Sequence, residues 1–180
     1  MREYRGMTAA ERVADRRSRL IHAGYVIFSD LGFGEASIER LCASAHISIR
    51  AFYECFASRE ELFFVVLNRC REETREAVVR AAAESETNQL TRMVAAYIDH
   101  VMADRRRSRI LHREARLVMR PEDVQPQLDR LLMVFVEASG DRAFSVALLG
   151  ALEALLLAWD KGEVSRADLA RLPAMLDQAG

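Results

Sequence analysis

The chain has 180 residues, of which 51% are hydrophobic and 29% are charged, the proportions of an ordinary folded protein with one or two domains. Its net charge is −1, and the first sixty residues hold nine Arg against eight Asp and Glu, so bulk charge does not indicate a nucleic-acid partner. Three prolines, eight glycines and few windows that alternate with period two predict an all-α fold.

Arginines crowd the N-terminal arm and the first predicted helix, at Arg2, Arg5, Arg12, Arg16, Arg17 and Arg19. They fit either a track of contacts to nucleic-acid phosphates or a solvated helix face. The segment from Met1 to Arg19 lacks the apolar run of a secretion signal, which predicts a cytoplasmic protein. Three cysteines cannot all pair, which fits the same reducing compartment.

Residues 37–56 outline two short helices joined by a three-residue break. Apolar residues at positions 38, 41, 42 and 45 form one stripe of the first helix, and Ser37 is its natural N-cap. The break is Ala45-His46-Ile47, after which Ser48 caps the second helix. Such a turn often requires positive φ at its centre, which His46 tolerates better than most residues. This pattern predicts a helix-turn-helix with DNA as its partner.

The second short helix carries the expected DNA contacts. Arg50 suits the two acceptors of guanine, whereas Ile49 and Ala51 suit a thymine methyl in the major groove. Contacts to phosphates suit the hydroxyls of Ser37, Ser48 and Tyr53 and the guanidinium of Arg59. Cys55 is the thiol expected to be partly exposed near DNA, where a redox switch is conceivable.

The motifs around this turn resemble those of the TetR/AcrR (tetracycline-repressor-type) family of bacterial transcription regulators. The matching motifs are Gly32-Phe33, Ser37-Ile38, Ile47-Ser48, Phe52-Tyr53-Glu54-Cys55-Phe56 and Ser58-Arg59-Glu60-Glu61-Leu62. The resemblance covers roughly residues 12–67. It departs from the family at His46, where glycine is common, at Cys55, where an aromatic residue or histidine is common, and at Arg59, where lysine is common.

The resemblance implies an N-terminal arm and three-helix DNA-binding domain over residues 1–58 and a helical ligand-binding and dimerisation domain over residues 59–180, about nine helices in all. It also implies a homodimer on an inverted-repeat operator in double-stranded DNA. A small-molecule effector of unknown identity would shift the population between DNA-competent and incompetent states. The dimer is also expected because two recognition helices about 34–36 Å apart match successive major grooves.

After the DNA-reading unit, a long helix from Glu60 to about Glu84 is expected to act as a connector. Five further helices are predicted at 90–102, 108–118, 124–138, 143–159 and 166–178. The break signals between them are Arg105-Arg106-Arg107, Pro121, Gly140-Asp141 and Gly162. The inward-looking faces of the middle helices predict the lining of an effector pocket, although each residue also fits a plain core position. These residues are Met93, Tyr97, His100, Val101, Leu111, Met119, Leu132, Phe135 and Trp159.

The segment from Ala143 to Trp159 is apolar on nearly every side, which is unusual for the surface helix of a monomer. It is short for a bilayer span and is interrupted by Gly150 and Glu153, so a buried or interface helix is favoured over a membrane segment. With the last helix it predicts a two-fold dimer interface. The interface residues are Phe144, Leu148, Leu152, Leu155, Leu169, Leu172 and Leu176.

Catalytic and metal chemistry find little support in the sequence. No Glu-x-x-His pair of the di-iron type and no nucleophile triad appears, so no enzyme activity and no cofactor are expected. Cys42 and His46 lie four residues apart without a second pair of ligands, so no metal site is expected. The sequence predicts a DNA-binding regulator that acts as a repressor and is released from a palindromic operator by a ligand. The alternative is a dimeric helical ligand-binding or interaction protein without specific DNA recognition.

Overall fold

The computed structural model of the chain describes residues 8–84, 87–118 and 121–177, and it describes the side chains of those residues except at 121–129 and 177. Every regular element in these ranges is helical, which confirms the predicted all-α fold. The helices group into two compact units, Met1–Leu67 and Asn68–Gly180. The division falls inside the fourth helix, later than the expected domain boundary after residue 58.

The first unit contains α1 (Ala9–Asp30), α2 (Ile38–Ala45), α3 (Ile49–Tyr53) and the first turns of α4 (Arg59–Ala83). A capping box starts α1, because the Thr8 hydroxyl accepts from the Glu11 amide at 3.2 Å while the Glu11 carboxylate accepts from the Thr8 amide at 2.6 Å. The helix ends where Gly32 takes a φ of 89°. Local capping chemistry therefore sets both ends of α1.

Aromatic packing holds the core of the first unit. Phe28 and Phe63 meet edge to face with ring centroids 5.3 Å apart, and Phe33 stacks on Phe28 at 5.6 Å. Gly24 lets α1 approach α4 closely, since an added Cβ there would come within 3.2 Å of Val66 Cγ2. The largest fully buried side chains of this unit are Leu20, Phe28, Leu41, Phe52, Phe56, Leu62, Phe63 and Leu67.

The turn between α2 and α3 follows the predicted capping pattern. His46 lies in the left-handed region with φ 53° and ψ 49°, which confirms the expected positive φ. Its amide donates to the Ala43 carbonyl at 3.2 Å and the Ile47 amide donates to the Cys42 carbonyl at 3.0 Å, the pair of bonds of a Schellman motif. Ser48 then caps α3 in extended backbone. These bonds define the direction in which α3 leaves the turn.

The second unit contains the end of α4, α5 (Gln89–Met102), α6 (Arg105–Ser108), a π-helical segment (Arg109–Glu114), α7 (Ala115–Val118), α8 (Pro121–Ser139), α9 (Arg142–Lys161) and α10 (Arg166–Asp177). The segments from α6 to α7 follow one another without a gap. Counted as one, they bring the described residues to nine helices, in agreement with the predicted number.

One predicted break is wrong. Arg105, Arg106 and Arg107 are helical, and the chain breaks just before them. The reason is that Asp104 caps α6 by accepting from the Arg106 amide at 2.9 Å, while Arg107 donates to the His100 carbonyl at the end of α5. The breaks predicted at Gly140 and Gly162 are confirmed, and both glycines have positive φ. Pro121 occupies the first position of α8, where its missing amide costs nothing.

The core of the second unit lies between α5 and the helices packed on it. Its fully or nearly fully buried residues are Met93, Val94, Tyr97, Ile98, Val101, Leu132, Phe135, Leu152, Leu156 and Leu169. By length and composition α9 alone among the described helices would suit a membrane span, a test that the core helix of a soluble protein also passes. Only 17% of its apolar window is buried within the chain. Among the described residues, the exposed large apolar side chains of α9 are Phe144 and Val146.

Candidate nucleic-acid interface and C-terminal cavity

The outer face of α3 presents three of the side chains predicted to contact DNA. Ile49 is 45% exposed and Tyr53 is 56% exposed. The Arg50 side chain is 92% exposed, and it forms a long ion pair of 3.7 Å with Glu54. At 100° per residue, positions 49, 50 and 53 share one face of a short helix. The guanidinium of Arg50 is thus held at the surface and can reorient toward a base.

The prediction that Ala51 points outward is wrong, because its side chain is only 9% exposed. It lies on the same inner side of α3 as Phe52, which is fully buried. In a helix of five residues the outer face holds only three side chains, and position 51 falls on the opposite side. A thymine-methyl contact from this face is therefore left to Ile49.

Both predicted phosphate-binding serines serve as helix caps. The Ser37 hydroxyl accepts from the Arg40 amide at 3.3 Å, and the Ser48 hydroxyl accepts from the Ala51 amide at 3.2 Å. A hydroxyl that accepts a capping bond keeps its own proton for donation. Capping and phosphate binding are therefore compatible at these two positions.

Arginines of α1 bind the helix-turn-helix from inside the unit. Arg17 donates to the Cys55 carbonyl at 2.6 Å, and its guanidinium lies 4.1 Å from the centre of the Phe56 ring. Arg19 donates to the carbonyls of Ala45 and His46 at 3.1 and 3.3 Å. These carbonyls lie at or beyond helix ends, where the backbone lacks partners of its own. These structural contacts were not among the two predicted roles, phosphate track or solvated face.

Arg59 has a similar internal role. Its guanidinium lies 4.1 Å from the centre of the Phe33 ring, and Nη1 donates to the Ala36 carbonyl at 3.3 Å. The side chain is 26% exposed. It thus ties the loop between α1 and α2 to the start of α4, a structural contact that the sequence-based assignment to phosphate binding did not include. Arg2 and Arg5, also considered for phosphates, lie outside the described residues.

The thiol of Cys55 is partly buried, and burial raises its pKa despite the neighbouring charges of Arg16 and Arg17. Redox-sensing cysteines have a lowered pKa, because the thiolate is the reactive form. The structure therefore gives Cys55 the properties of a packing residue. Burial also raises the pKa of Cys70, to about 12.

The second unit contains a partly open cavity of about 670 Å³. Tyr97, Leu111 and Leu132 line it, as the sequence predicted for three of the nine expected pocket residues. The prediction of a cavity-lining role is wrong for Met93, Val101 and Phe135, because each is 0% exposed and belongs to the solid core.

The remaining three pocket predictions have other outcomes. His100 does not line the cavity, and Trp159 packs against the core with the Arg105 guanidinium 5.6 Å from its ring centre. Met119 lies outside the described residues. Inward-facing periodicity identifies buried positions, but it does not separate those that meet other side chains from those that border empty space.

The sequence-based prediction of the cavity lining did not include the charged residues of α4. Asn68, Arg71, Glu72 and Arg75 of α4 line the cavity at spacings of three, one and three residues. These positions share one face of a helix, so the polar second half of α4 carried a periodic signal. The other charged or titratable lining residues are His112, Arg116, Arg130 and Glu153.

Ion pairs organise the cavity wall. Glu72 accepts from Arg75 at 2.6 and 3.1 Å, and this hydrogen bonding lowers the pKa of Glu72. Glu153 accepts from Arg116 at 2.9 Å. Desolvation lowers the pKa of His112 to about 4, so this imidazole is neutral at pH 7. The cavity thus combines an apolar surface with paired charges and one neutral imidazole.

The residues predicted for a dimer interface divide into two groups. The prediction of an interface position is wrong for Leu152 and Leu169, because they are 1% and 0% exposed within a single chain and belong to its core. Phe144 is 40% exposed. The partly buried members of the set, which pack at the edge of the core, are Leu148, Leu155, Leu172 and Leu176.

Comparison with known proteins finds relatives in sequence and in fold. The profile described as "Bacterial regulatory proteins, tetR family" matches residues 20–66. A TetR-like transcriptional regulator from Rhodococcus sp. RHA1 is 29% identical with a TM-score of 0.71, over 92% of this chain and 96% of that one. A TetR-family regulator from Pectobacterium atrosepticum is 22% identical with a TM-score of 0.69, over 96% and 95% of the two chains. The search of curated protein sequences gave no match.

One further solved structure is similar in fold alone. The regulator FadR from Bacillus subtilis, solved in complex with stearoyl-CoA, has a TM-score of 0.77 at 13% identity, over 89% of this chain and 95% of that one. The profile match covers the whole turn between α2 and α3 and the exposed face of α3. The chain is therefore a DNA-binding transcription regulator, and its residues 20–66 match the tetR family.

Proposed function

We propose that this protein is a homodimeric cytoplasmic repressor, rather than an enzyme, which binds an inverted-repeat operator and is released from it by a small-molecule effector. The exposed face of α3 carries this proposal. Ile49, Arg50 and Tyr53 face solvent together, although the rest of α3 is held in place by caps and by bonds to its backbone. A rigid backbone with outward polar and apolar groups is suited to the major groove.

Arg50 is proposed as the base-reading residue, and Ile49 as an apolar contact to a thymine methyl. A guanidinium bonds guanine O6 and N7 together, which gives discrimination against other bases. Tyr53 and the capping hydroxyls of Ser37 and Ser48 are proposed to contact phosphates, which set register without reading sequence. Arg59 is proposed to place a positive charge near the DNA phosphates while it keeps its contact with the Phe33 ring.

The proposed dimer covers the apolar surface of α9. Only 17% of the apolar window of this helix is buried within the chain, and Phe144 is 40% exposed. Exposed apolar surface of this kind favours association. Leu148 and Leu155 on α9, with residues of α10, complete the proposed interface. Two copies would present two α3 helices to successive turns of the operator.

The cavity is the proposed effector site. Its volume of about 670 Å³ lies in the range of small-molecule pockets, roughly 300–1,000 Å³. Asn68, Arg71, Glu72 and Arg75 on its wall belong to α4, the helix that begins at Arg59. We propose that a ligand acts through α4 and favours a state that does not bind DNA, to the extent that it binds that state more tightly. The stearoyl-CoA complex of the Bacillus subtilis regulator supports small-molecule binding in this fold.

Selection from a random pool of duplex DNA, at near-physiological salt with the purified full chain, tests the function. We expect an enriched inverted repeat, and a dimer on it by sedimentation. A parallel selection with Arg50→Ala should give weaker enrichment or a changed motif. No enrichment by a folded, dimeric wild-type protein would contradict the operator and favour the alternative of a helical ligand-binding protein without specific DNA recognition.

A further inference from the structure

The cavity wall carries an excess of positive charge. Among the lining residues that the structure describes, four are arginines, at positions 71, 75, 116 and 130, and two are glutamates, at positions 72 and 153. Desolvation lowers the pKa of Arg71, although arginine stays protonated at pH 7. Arg116 and Arg130 are 60% and 69% exposed, so their guanidiniums keep contact with water. The potential inside the cavity therefore favours an anion.

Both carboxylates of the wall already hold arginine partners. Glu72 accepts two bonds from Arg75 at 2.6 and 3.1 Å and lies 3.9 Å from Arg130 Nη1. Glu153 accepts from Arg116 at 2.9 Å. A cationic ligand would have to compete with these arginines for the carboxylates. An anionic ligand instead adds to the existing pairs and reduces the excess charge.

A neutral polar group lies beside these charges. His112 is only 4% exposed, and its Nε2 has no hydrogen-bond partner in the part of the chain that the structure describes. Buried polar atoms normally find partners, and this nitrogen has less than 1 Å² of accessible surface, so a bond to a ligand requires the ring to turn toward the cavity. The segment that supplies His112 is π-helical, a local geometry that often occurs at functional sites.

The rest of the lining is apolar. Leu111, Leu131, Leu132, Val146 and Leu149 contribute hydrocarbon surface to the same cavity. A small inorganic anion would leave this surface without contacts. A purely apolar ligand would leave His112 Nε2 unbonded and the positive excess uncompensated. Only a molecule with both an acidic group and an apolar body satisfies all three features.

We propose that the cavity binds an amphipathic anion, whose carboxylate or phosphate is held by Arg71, Arg116 and Arg130 and whose apolar body packs on Leu111, Leu132 and Leu149. His112 Nε2 hydrogen-bonds the polar part of the ligand. This assignment deepens the proposed function, since it rests on the cavity as the effector site and adds the chemical class of the effector. A free fatty acid and an acyl thioester of coenzyme A both have this chemistry.

Calorimetric titration of the full-length protein, without DNA, tests the preference with ligands that share one decyl chain. The probes are decanoate, decyl phosphate, 1-decanol and decylamine, each below its micellar concentration. We expect at least one acid to bind tenfold or more tightly than 1-decanol, and decylamine to bind most weakly. Decanoyl-CoA in a fifth titration distinguishes the sources, since tighter binding than decanoate indicates a thioester and weaker binding a free acid. Binding of 1-decanol or decylamine as tightly as both acids, or binding of neither acid, would overturn the proposal.

Two substitutions of opposite charge locate the acid group. Arg116→Gln should weaken decanoate binding about tenfold, whereas Glu153→Gln should strengthen it, and both should leave 1-decanol unchanged. Both side chains are partly exposed, so neither change should prevent folding. Arg166→Gln on α10, which does not line the cavity, is the matched control and should change nothing. Equal effects on acid and alcohol would overturn the assignment of the acid to the arginines.

His112→Phe tests the polar contact, because it keeps a ring of similar size and removes Nε2. Decanoate binding should fall by a larger factor than 1-decanol binding, and an equal change for the two ligands would contradict the contact. Failure of the effector role has a separate signature. Decanoate that binds in calorimetry but does not release an enriched operator would refute the effector role and leave the anion preference in place.

Discussion

In the first unit Arg17, Arg19 and Arg59 bind backbone carbonyls or aromatic rings, whereas the arginines around the cavity of the second unit face carboxylates and empty space. Arg17 and Arg19 complete the hydrogen bonding of the helix-turn-helix backbone, and they hold α3 in place. Arg116 and Arg130 lie beside a volume that no described side chain fills. Arg50 differs from both groups, because it is almost fully exposed on α3. Arginine therefore stabilises the fold, lines a cavity or lies exposed on a helix face, and the surroundings of its guanidinium determine which.

The largest expected effect concerns the pH dependence of the second unit. His112 has a pKa of about 4 in the folded protein, below the ordinary value of 6.5, because burial disfavours the charged form. The unfolded chain therefore binds a proton between pH 6.5 and 4 that the folded chain does not, and stability falls as the pH falls through this window. The loss approaches about 3 kcal/mol. Urea unfolding at several pH values should show this loss in wild type and a smaller one in His112→Phe.

The control for this comparison is His22→Asn, at an exposed position on α1. Carboxylates also titrate in acid, so the informative quantity is the difference between each variant and wild type at each pH. If His112→Phe and wild type lose equal stability between pH 6.5 and 4, the neutral buried imidazole is contradicted.

Removal of an arginine that binds the backbone should come next in size. Arg17→Ala deletes a charged hydrogen bond to the Cys55 carbonyl and a cation–π contact with Phe56. We expect a loss of about 2–3 kcal/mol in the free energy of unfolding, measured by urea denaturation. Arg80→Ala, at an exposed side chain of α4 with a long ion pair of 3.9 Å, should change stability by less than about 0.5 kcal/mol. Equal losses in the two variants would remove the distinction between internal and solvated arginines.

The surface arginine should show the reverse behaviour. Arg50→Ala should leave the free energy of unfolding unchanged, because the side chain is 92% exposed. It should cost about 1–3 kcal/mol in binding to each half of the enriched operator and less on random duplex, because a base contact is lost. Fluorescence anisotropy on the two duplexes measures this difference. Equal losses on specific and random DNA would contradict base reading by Arg50.

The sequence predicted most of the first unit, because its determinants are local. Ser37 and Ser48 cap helices within three residues, and the strain at His46 follows from the length of the turn. Ala51 was misplaced because α3 is too short for its pattern to define two faces. In the second unit, Tyr97 and Met93 look alike in sequence, since both lie on the inward face of α5. Only the three-dimensional packing of the surrounding helices determines that Tyr97 borders a cavity and Met93 does not.

Arg59 lies between the two kinds of arginine and offers a finer test. Arg59→Ala should cost about 1–2 kcal/mol of stability through its contacts with Phe33 and Ala36. If Arg59 also binds a phosphate, the variant should weaken all duplexes alike and reduce the slope of log K against log salt by about 1. Arg59→Lys keeps the charge but not the planar contact, so it should retain the slope and lose part of the stability. An unchanged slope in Arg59→Ala would restrict Arg59 to its structural role.

The smallest expected effect concerns the turn between α2 and α3. His46 has a φ of 53° and its side chain is exposed, so glycine relieves backbone strain there without removing a buried contact. His46→Gly should raise stability by about 0.5–1 kcal/mol, measured as an increase in Tm, and leave operator binding unchanged. Asn88→Gly is the matched control at a φ of 54°, with a smaller gain because asparagine tolerates this region well. A lower Tm for His46→Gly would show that the added freedom of the unfolded chain exceeds the strain relieved, and that histidine suits this turn as well as glycine does.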